Sequence, residues 1–189
     1  MLDQASVGVA AERVTERQLE QRRWTLAQLD EEQIRFVDAF PPTLELDLRG
    51  GRMLLACHPV PSSYDAILLP STPEDEFRAL LDGCDADVIA GGHVHLQFLR
   101  RHGDTLWVNP GNAGLSYHHE QDEDDFRFDP WAAYALLSTD PPGGLSVDLR
   151  RVPVSVEAIV ARIEACGMPH AADNAWQWRS PGRATRAAG

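Results

Sequence analysis

The chain has 189 residues, of which 43% are apolar and 24% charged, and its 29 acidic and 17 basic residues leave a net charge of −12. That composition suits a globular protein with a real core, and it excludes a disordered or fibrous chain. The acidic balance, with no Lys/Arg cluster among aromatics, argues against a nucleic-acid partner.

No apolar run approaches the ~20 residues that span a bilayer, so no membrane partner is expected. The opening stretch "MLDQASVGVAAERV" has neither a basic n-region nor an apolar core, which makes the cytoplasm the expected location. Every basic residue is arginine, a codon bias that points to a GC-rich, bacterial genome. Cys57, Cys84 and Cys166 are odd in number and widely spaced, so they read as small buried residues rather than a disulfide framework or zinc knuckle.

In chain order, residues 10–39 read as helix. Val14, Leu19, Trp24, Leu26 and Leu29 recur at roughly helical spacing, and Asp30 N-caps a second helix, "EEQIRFVDAF", that Pro41-Pro42 stops. "TLELDL" (43–48) and "RMLLACH" (52–58) flank Gly50-Gly51 as a hairpin whose second strand is apolar enough for burial on both faces. A Pro/Ser-rich loop, 59–71, leads to a helix over 73–83 opened by Ser71 or Thr72. Strand 86–90 precedes Gly91-Gly92 and two histidines. "LQFLRR" and "TLWVN" form a hairpin around His102-Gly103-Asp104. An acidic loop occupies 118–129, a further hairpin pairs "AAYALLS" with "LSVDLRRVPV", and Ser155 caps a closing helix. Residues from Met168 on read as a tail that packs and then frays. No internal repeat or linker marks a second domain, so the fold class is α/β or α+β with one layered core.

The histidines carry the chemistry. His93 and His95 have period-2 spacing, so on an extended segment both imidazoles point the same way. Gly91-Gly92 lets the backbone approach a bound group closely. His58 ends a core strand, and in α/β sheets ligand sites gather beyond the carboxyl ends of strands. Asn109-Pro110-Gly111-Asn112 ends another strand in the same way, as a backbone loop closing over a site or as a plain Pro-Gly turn. His102 reads as a turn residue. His118, His119, Asp122, Asp124 and Asp125 read as a solvated face.

Taken in order, strand–His58–Pro-rich loop, Gly92-His93-Val94-His95 and Asn109-Pro110-Gly111 resemble the calcineurin-like metallophosphoesterase superfamily, in particular its small bacterial single-domain members. The resemblance covers about residues 10–170. It implies a domain over 1–170 with a 171–189 tail, and a two-sheet β-sandwich flanked by helices. It also implies two divalent metals (Mn, Fe, Zn or Ni), His58 and His93 binding one and His95 the other, with Asn109, Gly111 and Asn112 as the substrate loop. A metal-bridged hydroxide would then attack a small phosphomonoester or phosphodiester. The family's Asp-x-His, Gly-Asp and Gly-Asn motifs have no counterpart in "MLDQASVGV", so no general acid or bridging carboxylate is assigned. A fold incomplete at its N-terminus, truncated and with an exposed sheet edge available for self-association, is therefore expected. Alternatives are a non-catalytic binding or oligomerisation module on the same fold, or a single-metal three-histidine protein.

Overall fold

The expected hairpin is present as β1 (Thr43–Leu48) and β2 (Arg52–Cys57), paired antiparallel from Thr43↔Cys57 to Leu48↔Arg52. These strands belong to a computed structural model that describes residues 14–140 and 144–179. The helix α3 (Glu74–Leu80) follows the Pro/Ser-rich loop, and then come β3 (Val88–Ala90), β4 (Gln97–His102) and β5 (Thr105–Pro110). β2, β3 and β5 run parallel, and the sheet order is β1-β2-β3-β5-β4. β6 (Trp131–Asp140) and β7 (Gly144–Pro153) make a separate two-stranded sheet.

Both faces of the larger sheet are covered. On one side Leu54, Val88 and Val108 pack with Ala135, Leu137, Leu145, Val147 and Leu149 of the smaller sheet. On the other, Leu55, Ile89 and Trp107 pack with Val60 and Leu68 of the loop and Phe77 of α3. Neighbours in sequence such as Leu54 and Leu55 go to opposite sides, because successive side chains of a strand alternate. This is the expected sandwich. Among the described residues β1 pairs only with β2, and its Leu44 and Leu46 are exposed.

The chain divides into two compact units. The sheets make up one, Pro41–Ser116 with Trp131–Val152. The other comprises Met1–Phe40, Tyr117–Pro130 and Pro153–Gly189. Because both are discontinuous, no linker announces them. In the second unit α1 (Glu16–Ala27) and α2 (Glu31–Asp38) carry complete capping boxes, Thr15 with Gln18 and Asp30 with Gln33, yet neither helix buries a residue. α1 starts later than the sequence pattern suggests, where the Thr15 cap satisfies its first amides, and residues 10–13 lie outside the described residues.

The closing helix α4 (Val156–Ala165) is capped by Ser155 as expected. Within the segment after Met168 lies α5 (Ala171–Arg179), whose Ala175 and Trp178 form a core with Val160 of α4 and Phe128. Residues 180–189 lie outside the described residues. Polar contacts tie α1 to α5: Arg17 donates to Asp173 at 2.8 Å and to Asn174 at 3.2 Å, and Glu20 meets His170 at 2.8 Å. No described helix is long and apolar enough to cross a membrane. α3 starts behind Pro73 without a side-chain cap, since the Thr72 hydroxyl accepts from the Leu69 N–H at 2.9 Å and so serves the loop.

Candidate functional site

Parallel pairing brings the ends of β2, β3 and β5 to one edge of the sheet, and the segments that follow them meet there. His58 follows β2 directly. Its imidazole Nε2 lies 3.3 Å from Nδ1 of His93, with the rings edge-to-face at 84°. Burial, then the neighbouring His93 and His95, push the His58 pKa down from its ordinary value, with Asp65 opposing. All three downward effects disfavour the imidazolium and so favour the neutral ring of His58.

His93 and His95 do not sit on an extended segment, which corrects the period-2 reading. β3 ends at Ala90, the Val94 N–H donates to the Gly92 carbonyl at 2.9 Å, and both histidines have left-handed backbones, φ +73° and +55°. Side chains with a Cβ adopt that region at a cost and cluster there at functional sites. The tight turn sends the two rings to different partners. His93 faces His58, whereas His95 Nδ1 lies 2.9 Å from the Leu115 carbonyl. A carbonyl only accepts, so His95 Nδ1 carries the proton, and in the neutral ring Nε2 is the acceptor.

Asn109 works from beneath the loop. Its side chain is fully buried, donating to the Gly92 carbonyl at 2.9 Å and accepting from the Gly111 N–H at 2.9 Å. It therefore joins the ends of β3 and β5. Gly111 has φ +88°, and a Cβ there would lie 2.7 Å from both Ala133 Cβ and Gln97 Cγ. Gly91 also answers to packing rather than to a ligand, since a Cβ on it would come within 2.0 Å of the Trp107 ring and 2.2 Å of the Pro59 carbonyl oxygen. Gly92 is roomier: a Cβ there would rest 3.5 Å from the His58 ring.

Other predicted residues behave as structure. Cys57 is pushed up to about 12, by burial and then by Cys84, so it stays a thiol at neutral pH. His102 pairs with Glu74, which also takes Arg100 at 2.8 Å. The participants that sequence pattern does not flag are the Leu115 carbonyl and Asp65. A backbone acceptor has no residue-type signature.

Two nitrogens on one tetrahedral ion with bonds of ~2.0–2.1 Å stand about 3.3–3.4 Å apart. The 3.3 Å between His58 and His93 fits one edge of such a shell. Among the described residues no group of three or more His, Cys, Asp or Glu converges, so the arrangement fits two donors to one ion and does not make up a two-metal centre.

Residues 25–128 match the family model described as the calcineurin-like phosphoesterase superfamily domain. A hypothetical protein from Pyrococcus horikoshii OT3 has a similar structure, with TM-score 0.69 and 17% identity over 90% of this chain and 63% of its own. A metallophosphoesterase from Sphaerobacter thermophilus is similar at TM-score 0.59 and 18% identity, over 82% of this chain and 65% of its own. The chain thus spans just under two thirds of the length of these solved structures. No curated protein matches it.

Proposed function

The chain belongs to the calcineurin-like phosphoesterase superfamily, and from that premise we propose that it serves metal-dependent hydrolysis of a small phosphoester. The observation that supports this most directly is the 3.3 Å approach of His58 Nε2 and His93 Nδ1, which suits one divalent ion such as Mn²⁺ or Zn²⁺. His58 and His93 would hold that ion, and it would supply Lewis-acid polarisation of a phosphoryl oxygen.

The remaining work falls to the chain itself. Partial burial and the neighbouring His93 and His95 favour the neutral form of His58, Asn109 fixes the turn that aims His93, and the Leu115 carbonyl orients the His95 ring. Neutral imidazoles are the form that binds borderline divalent metals.

The test is metal content after loading with excess Mn²⁺ or Zn²⁺ and desalting, together with hydrolysis of an aryl phosphodiester. The expected result is about one ion per chain, with metal and hydrolysis both lost in His93→Ala. A His93→Ala chain that binds and hydrolyses like the parent would sink the assignment. One observation favours a second reading, a binding or oligomerisation module on the same fold: among the described residues β1 pairs only with β2, and its Leu44 and Leu46 are exposed. That reading predicts an ion held without turnover, and self-association through the β1 edge carrying Leu44 and Leu46.

A further inference from the structure

Between the Asn-Pro-Gly turn and the acidic loop lies a short segment, 112–116, with few side-chain anchors. Leu115 points substantially to solvent, 45% exposed, and a Cβ on Gly114 would meet nothing within 4 Å. Packing does not explain its shape. Asn112 does. Its side-chain oxygen accepts from the N–H groups of Gly114, at 2.7 Å, and Leu115, closing the segment on itself. Its backbone carbonyl accepts from Ala133 N–H of β6 at 2.8 Å and from the buried Ser116 hydroxyl at 3.4 Å. One residue therefore closes the loop through its side chain and moors it through its main chain. The product is the aim of a single group, the Leu115 carbonyl, 2.9 Å from His95 Nδ1.

We propose that Asn112 is the positioning residue for His95: through the Leu115 carbonyl it fixes the ring as the Nδ1–H tautomer and leaves Nε2 as the acceptor. The flipped tautomer would set the Nδ1 lone pair against a carbonyl that can only accept, so the loop selects between two forms that solvent would let exchange. Alanine at 112 removes both side-chain acceptances and releases the Leu115 amide. Aspartate keeps an oxygen at the same reach and retains them. That an acceptor Nε2 is useful rests on the metal reading above, but the choice of tautomer does not.

The experiment is long-range ¹H–¹⁵N NMR of the ring nitrogens in the full chain, metal-free, with His95 assigned by His95→Gln. A parallel calorimetric titration with Zn²⁺ follows. The parent should show His95 Nδ1 protonated. Asn112→Ala should shift both ring nitrogens toward an averaged mixture, with the backbone amide spectrum otherwise preserved. Asn112→Asp should restore the parent ring signature. If the alanine chain does not fold, Asn112→Ser, which keeps a shorter acceptor, should show a partial shift in the same direction. An unchanged His95 signature in the folded alanine or serine variant, or failure of aspartate to restore it, overturns the proposal. The parent tautomer pattern without any Zn²⁺ binding supports the positioning role while removing the metal reading.

Discussion

Leu54-Leu55 in β2 and Phe36-Val37 in α2 are both adjacent apolar pairs, and they meet opposite fates. The leucines are each 8% exposed, while Phe36 and Val37 are 66% and 47% exposed. In a strand, neighbours face opposite sides, so two apolar neighbours demand a covering layer on each side, and this sheet has both. In a helix, neighbours lie about 100° apart on one flank, so the same pair asks for a single cover. No residue of α2 is buried. Apolar composition therefore reports burial reliably where the element has two faces to fill. Where it has one, composition reports only a surface that something could cover.

The comparison assigns stability to the sheet and only local order to α2, and it breaks first at Trp107. That ring is 1% exposed and packs with Leu55, Ile89 and Phe77. Trp107→Ala should cost about 3–5 kcal/mol, read as a lower urea midpoint by far-ultraviolet circular dichroism. The indole N–H has no hydrogen-bond partner, so Trp107→Phe, which forfeits no such bond, should lose less. A loss under about 1 kcal/mol for the alanine variant would place the main core elsewhere, since core truncations of this size cost several times more.

Gly91→Ala comes next. The added carbon would press on the Trp107 ring and on the Pro59 backbone at distances no real contact tolerates, and overpacking of this kind costs about 1–3 kcal/mol. Gly92→Ala should be much milder, because the nearest atom is 3.5 Å away. Equal effects at the two glycines would show that the first is not fitted to the indole.

How much of this was legible follows the same division. The hairpins, the two-faced β2 and the Asp30 and Ser155 caps are local, being matters of alternation, turn residues and a side chain reaching its own helix. The meeting of His58 and His93 follows from parallel strand ends, which gather at one edge. What could not be read was the turn at 92–95 that separates the His93 and His95 rings, since period-2 logic holds only on extended backbone. The Leu115 carbonyl was equally hidden, because any residue can present one. The second unit is assembled from three distant segments, with Phe128 meeting Trp178, and no local pattern encodes that meeting.

Asp30 provides a smaller test. Its side chain accepts from the Gln33 N–H at 2.8 Å, and the Gln33 side chain returns the bond to the Asp30 N–H at 2.9 Å. Since α2 buries nothing, the cap is a main source of its order. Asp30→Ala should remove about 1 kcal/mol from the helix. The loss should appear as faster amide exchange confined to 31–38, with the urea midpoint of the sheet unchanged. Spread of the effect into the strands would mean that α2 is coupled to them more closely than its exposure indicates.

The smallest expected effect is the sharpest on the comparison itself. Phe36 and Phe40 touch edge-to-face at 5.0 Å between centroids, but Phe36 is two-thirds exposed, so most of its surface is wet whether or not the chain is folded. Phe36→Ser should therefore change stability by no more than about 0.5 kcal/mol, as exposed substitutions do. The same change should raise solubility, because it removes the most exposed side chain of an apolar patch that includes Val37 and Phe40. A serine variant destabilised as strongly as a core truncation would show that α2 has a cover in solution. Phe36-Val37 would then be a buried pair like Leu54-Leu55, and the difference between the two would lie in what binds the helix rather than in the helix.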